Sequence, residues 1–356
     1  MKIKTVRSRI EQFPLTRPYT IAFRSVDDVE MGLVEVETDS GLVGMGCASP
    51  EPYVTGETRE ACAAALREDE LAWLEGSDLR TLPALCRQLA ARMGKTPAAR
   101  AALDMALHDL LAQHLGVPLV DMLGRAHRAL PTSITIGIKP VDATLDEADE
   151  YLSRGFRVLK VKLGQALEED LERLSKLRQR IGTKAKIRVD PNQGYSPEEV
   201  KTFVRRTADL DIEFLEQPMA ADRVDALRKL PEPVRRRVAA DETLLDEADA
   251  LNLIAPPPAC GIFNIKLMKC GGISPARRIA DLADIAGVML MWGCMDESII
   301  SISAALHAAL ASPATRYLDL DGSLDLARDV VSGGFVLEDG IMRTTNTAGL
   351  GLKRLQ

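Results

Sequence analysis

The chain has 356 residues, 46% of them hydrophobic, with 45 basic and 52 acidic side chains and a formal net charge of −7. That is enough apolar material for one large and one smaller domain, and the mixed, mildly acidic charge excludes a nucleic-acid binder and a polybasic membrane attachment, leaving small molecules as partners. No apolar run of signal-peptide length opens the sequence and no segment reaches the roughly 18 uninterrupted apolar residues of a membrane span, so a cytoplasmic location is expected.

The first 125 or so residues read as an α+β module. Strand-like runs around 2–13 and 29–38 are joined through the loop PLTRPYTIAFRSVDD, and TDSGLVG reads as a turn into a third strand. Helical stretches follow, the clearest being AARAALDMALHDLLAQHLG (98–116), alanine-rich and closed by a glycine. The tail from about 325 is too short for a core of its own, and Gly333, Gly334 and Gly340 part its strand-like pieces. It is expected to pack back on the N-terminal module. Cys47, Cys62, Cys86, Cys260, Cys270 and Cys294 lie far apart, with no C-x-x-C pair or histidine at ligand spacing, which argues for reduced, mostly buried thiols. His108, His114 and His307 fall in helical stretches and His127 in a connection, so structural roles are expected for all four.

Between about 126 and 324 short β-like runs alternate with amphipathic helical stretches. The runs are TSITIGI (132–138), RVLKVKL (157–163), AKIRVD (185–190), IEFLEQ (212–217), RRVAADE (236–242), GIFNIKL (261–267), GVMLMW (287–292) and RYLDLD (316–321). Helix-start chemistry opens several spacers: Ser196 with Pro197 and Glu199, Ser274 with Pro275, and Thr144 with Glu147 as a capping box. Eight strands with eight crossovers predict an α/β fold, a (β/α)8 TIM-type barrel whose active site lies at the C-terminal ends of the strands.

Runs two to six each carry ionisable residues near that end, where a parallel strand is ordinarily apolar. They are Lys160 and Lys162, then Asp190, Glu216, Asp241 and Lys266, and from Lys162 onward the intervals are 28, 26, 25 and 25 residues. One charged group therefore stands at the same height on each successive strand. Lys160 and Lys162, two apart, share a face. In a ring of eight, the second and sixth strands are opposite, so Lys162 faces Lys266 across the mouth with three carboxylates on the arc between. Three oxygen ligands without histidine or thiolate suit a hard cation, and Mg2+, which keeps positions open for substrate, fits better than calcium or zinc. Such a metal stabilises the enediolate made when a proton next to a carboxylate is removed, while burial beside a cation lowers a lysine's pKa and frees it as a base. Two opposed lysines predict inversion at carbon: one takes the proton and the other returns it.

The set LKVKL, RVDPN, EFLEQP, AADET and NIKLMKCGGI resembles the enolase superfamily, in its muconate lactonizing enzyme subgroup, over nearly the whole chain. A lysine base with magnesium is that superfamily's known pattern. The resemblance implies a capping domain (1–125) completed by the tail (325–356) on a catalytic barrel (126–324). It also implies Asp190, Glu216 and Asp241 as metal ligands, Lys162 and Lys266 as acid/base pair, and Lys160 as partner of the substrate carboxylate. Pro191 stands where alanine is frequent. Asp319 and Asp321 in YLDLD, with GCMDES after the seventh run and TIAFRS in the N-terminal loop, resemble dipeptide epimerases, whose D-x-D pair holds the dipeptide's ammonium. Arg24, in a loop that closes on substrate in that family, and Thr135 join the substrate-binding set.

Alternatives built on the same residues are an Ala-Glu epimerase, an N-acylamino acid racemase, an o-succinylbenzoate synthase and a cycloisomerase; outside catalysis stands an inactive barrel that only binds. Apart from the Ala-Glu epimerase, the enzyme alternatives leave the D-x-D pair without a purpose, and the full metal and acid/base set argues against the inactive barrel. A histidine-dependent racemase of the mandelate type finds no inward histidine. Glu51, in SPEPYVTG, and Asp296, in GCMDES, add negative charge at two places expected to reach the substrate, which predicts a preference for Lys- or Arg-containing dipeptides and Ala-Glu as a poor substrate. No nucleic acid or membrane partner is expected, and a homo-oligomer stays open.

Overall fold

Three antiparallel strands open the chain: β1 (Ile3–Ile21), β2 (Arg24–Thr38) and β3 (Val43–Ala48), in the order β1-β2-β3. The structure, a computed structural model, describes residues 1–21 and 24–355, and of 18–21 and 24–26 the backbone alone. The loop expected between the first two strands is instead part of one long hairpin, in which Tyr19 pairs with Val26 and Ile21 with Arg24 after a register shift at Pro14 to Tyr19. Pro14 and Pro18 lack the N–H that a ladder needs. In that stretch β1 turns to the C-terminal tail, where Thr16 N donates to Asp325 O at 2.7 Å and Ala327 N to Pro14 O at 2.8 Å.

Against the sheet lies the helix Pro97–Leu115, with Pro97 in its first turn and Gly116 closing it at φ 71. Its alanines are buried on nearly every side, because the sheet covers one face and the barrel another. Two glycines of β3 permit the close approach. A Cβ at Gly44 would lie 2.2 Å from Ala106 O, and one at Gly46 only 1.7 Å from Ala102 O. Asp109 on the same helix accepts from Met45 N at 3.1 Å and from Leu350 N at 2.8 Å, tying sheet, helix and tail together. Burial pushes its carboxyl up to about 6.

After β4 (Leu130–Pro131) come the eight barrel strands: β5 (Ile134–Ile136), β6 (Val158–Lys162), β7 (Lys186–Asp190), β8 (Ile212–Glu216), β9 (Val238–Ala240), β10 (Ile262–Ile265), β11 (Met289–Gly293) and β12 (Thr315–Asp319). They form one parallel sheet in sequential order, one strand for each predicted run. A parallel bridge between Thr132 and Leu318 joins the first strand's entry to the last, with Ser133 N donating to Leu318 O at 3.0 Å. Inside, the Arg188 guanidinium lies over the rings of Phe214 and Tyr317 and is bound by Glu213 and by Leu318 O at 2.7 Å. The tail supplies β13 (Val331–Gly333), β14 (Phe335–Glu338), β15 (Ile341–Thr344) and β16 (Leu352–Arg354). Val331 and Leu326 pack with Phe13, Leu15 and Met31 of the module, whereas β15 pairs with β14 on one side and β4 on the other.

Ser196 starts its helix with the predicted capping box. The other two predicted starts differ. Thr144 lies inside the helix Val141–Ser153, its hydroxyl turned back on Pro140 O at 3.1 Å, and Glu147 pairs with Lys139. Ser274 and Pro275 lie inside the first turn of Ile273–Ala286, whose cap comes from the module: Asp104 Oδ1 accepts from Ile273 N at 2.7 Å and Ser274 N at 3.2 Å. Asp104 also pairs with His108 at 3.2 Å. His307 Nδ1 accepts from Val120 N and His127 bonds Ser312 O, so these three histidines hold the fold together.

The approach of helix to sheet gives a direct test. Gly46→Ala forces a methyl against the Ala102 carbonyl and should destabilise by about 1–3 kcal/mol, read as a lowered Tm; an unchanged Tm would show that the helix can move away.

Candidate active site

The register of the parallel ladder sets the charged residues at one height. Lys162 and Asp190, the last residues of β6 and β7, are paired across the ladder. Glu216 ends β8, Asp241 follows β9, Lys266 follows β10 and Asp319 ends β12. Alternation along β6 turns Lys160 and Lys162 into the barrel together, and both reach Asp190 Oδ2, at 3.3 and 2.7 Å. Lys160 continues to Glu216 Oε2 and Asp319 Oδ2, both at 2.8 Å, and is 3% exposed, whereas the Lys162 side chain is 30% exposed. On the opposite strand Lys266 Nζ donates to Asp241 Oδ2 at 2.7 Å.

Several members of the site carry no obvious signal in the sequence. Lys269, three residues beyond Lys266, is buried and donates to Asp241 Oδ1, to Asp241 O at 2.7 Å and to Asn264 O at 3.0 Å. Asn264 Nδ2 donates to Glu216 Oε1 at 2.9 Å. Ser133 Oγ donates to Asp319 Oδ1 at 2.6 Å. The i, i+3 spacing of the two lysines in IKLMK was the one clue available; Asn264 and Ser133 are ordinary strand and loop polar residues until the barrel brings them inward.

Six carboxylates (Asp190, Glu216, Asp241, Glu242, Asp319, Asp321) share this mouth with four lysines (Lys160, Lys162, Lys266, Lys269), a formal excess of two negative charges. The excess shows in the titration. Burial pushes Asp241 and Asp190 up, but the lysines outweigh it and both end below the usual carboxylate range. Glu216 is raised to about 8 by burial and by the charge of Asp190. Burial pushes Lys266 down, yet Asp241 outweighs it and the net shift is upward, as it is for Lys160. The carboxylates around these two lysines thus outweigh their burial; the lowering expected from the sequence is an effect of a bound cation beside them and lies outside this balance of the chain's own charges. Of the buried lysines here, Lys269 alone is shifted down, by desolvation.

A donor set made of carboxylate oxygens, in a pocket with excess negative charge, fits a hard divalent cation. Glu242 Oε2, beside Asp241, has no hydrogen-bond partner among the described residues, and Glu216 Oε2 has only its ion-pair contact with Lys160. Asp190, Glu216 and Asp241 are each drawn to an ammonium rather than to one another. Among the described residues, the group of His, Cys, Asp and Glu whose ligand atoms lie within 4.8 Å of each other is Cys86, Asp104 and His108. That group lies between the helices of the module and is bound up in capping Ile273–Ala286, as described above.

The remaining predicted residues are distributed around the rim. Asp321 Oδ2 accepts from Thr135 N at 2.8 Å, so Thr135 contributes its backbone here. Ser49 Oγ donates to Asp296 O at 2.8 Å, which stitches the loop of Glu51 to the loop after β11. Glu51 caps the short helix Pro52–Thr55, which packs against Leu267–Cys270 beside Lys266. The Arg24 side chain lies outside the described residues. Glu297, next to Asp296, is buried and raised to about 7 by desolvation, with Met295 N donating to it at 3.0 Å.

Residues 3–124 match the family described as mandelate racemase / muconate lactonizing enzyme, N-terminal domain, and residues 143–354 match the family described as enolase C-terminal domain-like. The L-Lys-D/L-Arg epimerase of Methylococcus capsulatus is 64% identical over 352 residues, 99% of each chain. A crystal structure of the dipeptide epimerase from that organism, complexed with Mg and L-Arg-D-Lys, matches with a TM-score of 0.98 and 64% identity over 99% of both chains. The substrate-liganded L-Ala-D/L-Glu epimerase of Bacillus subtilis matches with a TM-score of 0.94 at 33% identity, again over 99% of both.

Asp241 is the counterion of two buried lysines, so its replacement has a predictable pattern. Asp241→Asn should destabilise by about 3–5 kcal/mol. Asp241→Asn with Lys269→Met should destabilise by less than the sum of the single changes, because one stranded charge is gone. Additive losses in Tm would contradict the pairing.

Proposed function

Since the chain belongs to the mandelate racemase / muconate lactonizing enzyme group of the enolase superfamily, we propose that it epimerises dipeptides at the α-carbon of the C-terminal residue and prefers those containing Lys or Arg. The observation that carries the reading is the acidic rim, with Asp321 just past the end of β12 and the joined loops of Glu51 and Asp296, since one Mg2+ balances the excess of the ring below. A Lys-Arg dipeptide has three cationic groups and one carboxylate, so it complements such a rim where Ala-Glu does not. The same charge preference appears in the name of the 64% identical relative.

In this reading Asp190, Glu216 and Asp241 hold one Mg2+. Bound there, magnesium draws electron density from the substrate carboxylate and acidifies the neighbouring α-proton. Lys160, fixed by three carboxylates, pairs with the substrate carboxylate. Lys162 on β6 and Lys266 after β10 stand on opposite walls, four strands apart, and each faces one side of the α-carbon. The lysine on one side accepts the proton and its opposite number donates one, which inverts the centre. Asp241 keeps Lys266 in place. Asp319 and Asp321 supply the negative end for the dipeptide's ammonium, and Thr135 orients Asp321. Arg24, the first residue of β2, is assigned to cover the substrate. Glu51 and Asp296, on loops joined through Ser49, select a cationic side chain and repel an acidic one. Six free thiols support a reducing, cytoplasmic setting.

The test is kcat/KM over a panel of L,L-dipeptides with acidic, apolar and basic side chains, for the parent enzyme and for Asp296→Ala. Lys- and Arg-containing dipeptides should exceed Ala-Glu, excess EDTA should abolish turnover, and Asp296→Ala should narrow the charge preference by about tenfold, the value of one partly desolvated charge pair. A parent enzyme that favours Ala-Glu, or a variant with an unaltered preference, would overturn the assignment.

A further inference from the structure

Lys162 is the less enclosed of the two opposed lysines. Its side chain is 30% exposed against 8% for Lys266, and among the described residues its ion-pair partner is Asp190 Oδ2 at 2.7 Å. Asp190 belongs to the metal set, so a bound cation competes for that partner. The ladder holds Lys162 on one side only: β7 pairs with it, but β5 ends at Ile136, opposite Val161. What steadies the end of β6 on the open side comes from the turn that follows it.

Gly164, two residues after Lys162, donates its N–H to Asp170 Oδ2 at 2.8 Å. Asp170 stands in the first turn of the helix Leu167–Ile181 and is fully buried. Its other partners tie in the neighbouring loops. Tyr195 Oη, in the loop after β7, donates to the same oxygen at 2.8 Å; Arg173 Nη1 donates to Oδ1 at 2.8 Å, and Arg173 Nε to Lys139 O, in the connection after β5, at 3.1 Å. Gly164 has φ 102, and a Cβ there would lie 2.1 Å from Pro191 O, so only a glycine lets this turn meet the next loop. Among the described residues, the side chains of Asp170, Arg173 and Tyr195 bond to each other and to loop backbone, and to no charged group of the ring. Three buried polar residues are thus spent on the turn behind Lys162. Lys266 is held from elsewhere: Leu267–Cys270 follows it, and Cys270 O accepts from Arg100 Nη2 of the capping module at 2.6 Å.

We propose that Asp170 is the positioning residue of Lys162, fixing the Gly164 turn so that this lysine meets its face of the α-carbon, and that Arg100 has the corresponding part for Lys266. The assignment rests on the functional reading above. It makes the two faces of the reaction separable by substitutions that touch neither substrate nor ring, since loosening the Gly164 turn shifts Lys162 and leaves Lys266 where it is. A disturbance that spread to Asp190, Glu216 or Asp241 would instead slow both faces alike, because both directions share one metal set.

The experiment follows α-proton exchange of L-Lys-L-Arg and of L-Lys-D-Arg in deuterated water, with Mg2+, in the parent enzyme, Asp170→Asn, Tyr195→Phe and Arg100→Met. Lys162→Met and Lys266→Met identify the epimer that each lysine deprotonates. Asp170→Asn should slow exchange of the Lys162 epimer about 10- to 100-fold, the scale of a 1 Å misplacement at a reacting group, and leave the other epimer close to the parent rate. Tyr195→Phe removes one hydrogen bond to Asp170 without stranding the Arg173 charge, so it folds where Asp170→Asn might be too disruptive, and it should show the same selectivity with a smaller loss. Arg100→Met should slow the opposite epimer. Equal slowing of both epimers in Asp170→Asn or Tyr195→Phe, an unaltered rate in either variant, or an Arg100→Met that slows the same epimer would overturn the proposal. A parent enzyme that exchanges neither epimer, or lysine variants that do not part the two, would defeat the functional reading instead.

Discussion

The structure of the barrel mouth depends on the pairing of buried lysines with buried carboxylates that outnumber them. No single pair is self-sufficient. Lys160 reaches three carboxylates, Asp190 Oδ2 is shared by Lys160 and Lys162, and Asp241 is shared by Lys266 and Lys269. Each ion is expensive to desolvate and is compensated only because its partners are held at hydrogen-bonding distance. The formal excess of two that remains is what one Mg2+ balances. Glu216, raised to about 8, marks where that excess is concentrated.

The scaffold keeps these charges in place from two directions. From within the barrel, Arg188 between Phe214 and Tyr317 anchors Ser133 and so the β12 side of the mouth. From the capping module, Asp104 caps Ile273–Ala286, and Arg100 Nη2 donates to Cys270 O at 2.6 Å. Both contacts fall just after Lys266 and Lys269. The helix Pro97–Leu115 can reach that far only because Gly44 and Gly46 let it lie directly on the sheet. The loops of Glu51 and Asp296 and the lysines after β10 are therefore carried by one packed unit, and the Ser49 contact to Asp296 closes it at the rim.

The barrel and its charged ring were legible because they repeat. A strand recurring about every 25 residues with an ionisable group at its end is visible in one dimension, and alternation alone turns Lys160 and Lys162 to one side. What depends on tertiary partners was not legible. Thr144 and Ser274 resemble helix starts by composition, yet the cap of Ile273–Ala286 comes from Asp104, some 170 positions away. The loop between the first two strands reads as irregular because its prolines interrupt a pattern that the tail completes from the other end of the chain. The ion-pair partners of the lysines were not legible for a similar reason: they depend on distances to Asp241, Glu216 and Asp319, which no spacing rule contains.

The central claim is that Lys162 and Lys266 serve opposite faces of one carbon, and α-proton exchange in deuterated water tests it most directly. Lys162→Met and Lys266→Met, each with Mg2+, are incubated with L-Lys-L-Arg and with L-Lys-D-Arg, and exchange is followed by the loss of the α-proton signal. Each variant should lose epimerisation and still exchange one epimer, and the epimer should differ between the two. A variant that exchanges both epimers at equal rates, or two variants that retain the same epimer, would contradict the account.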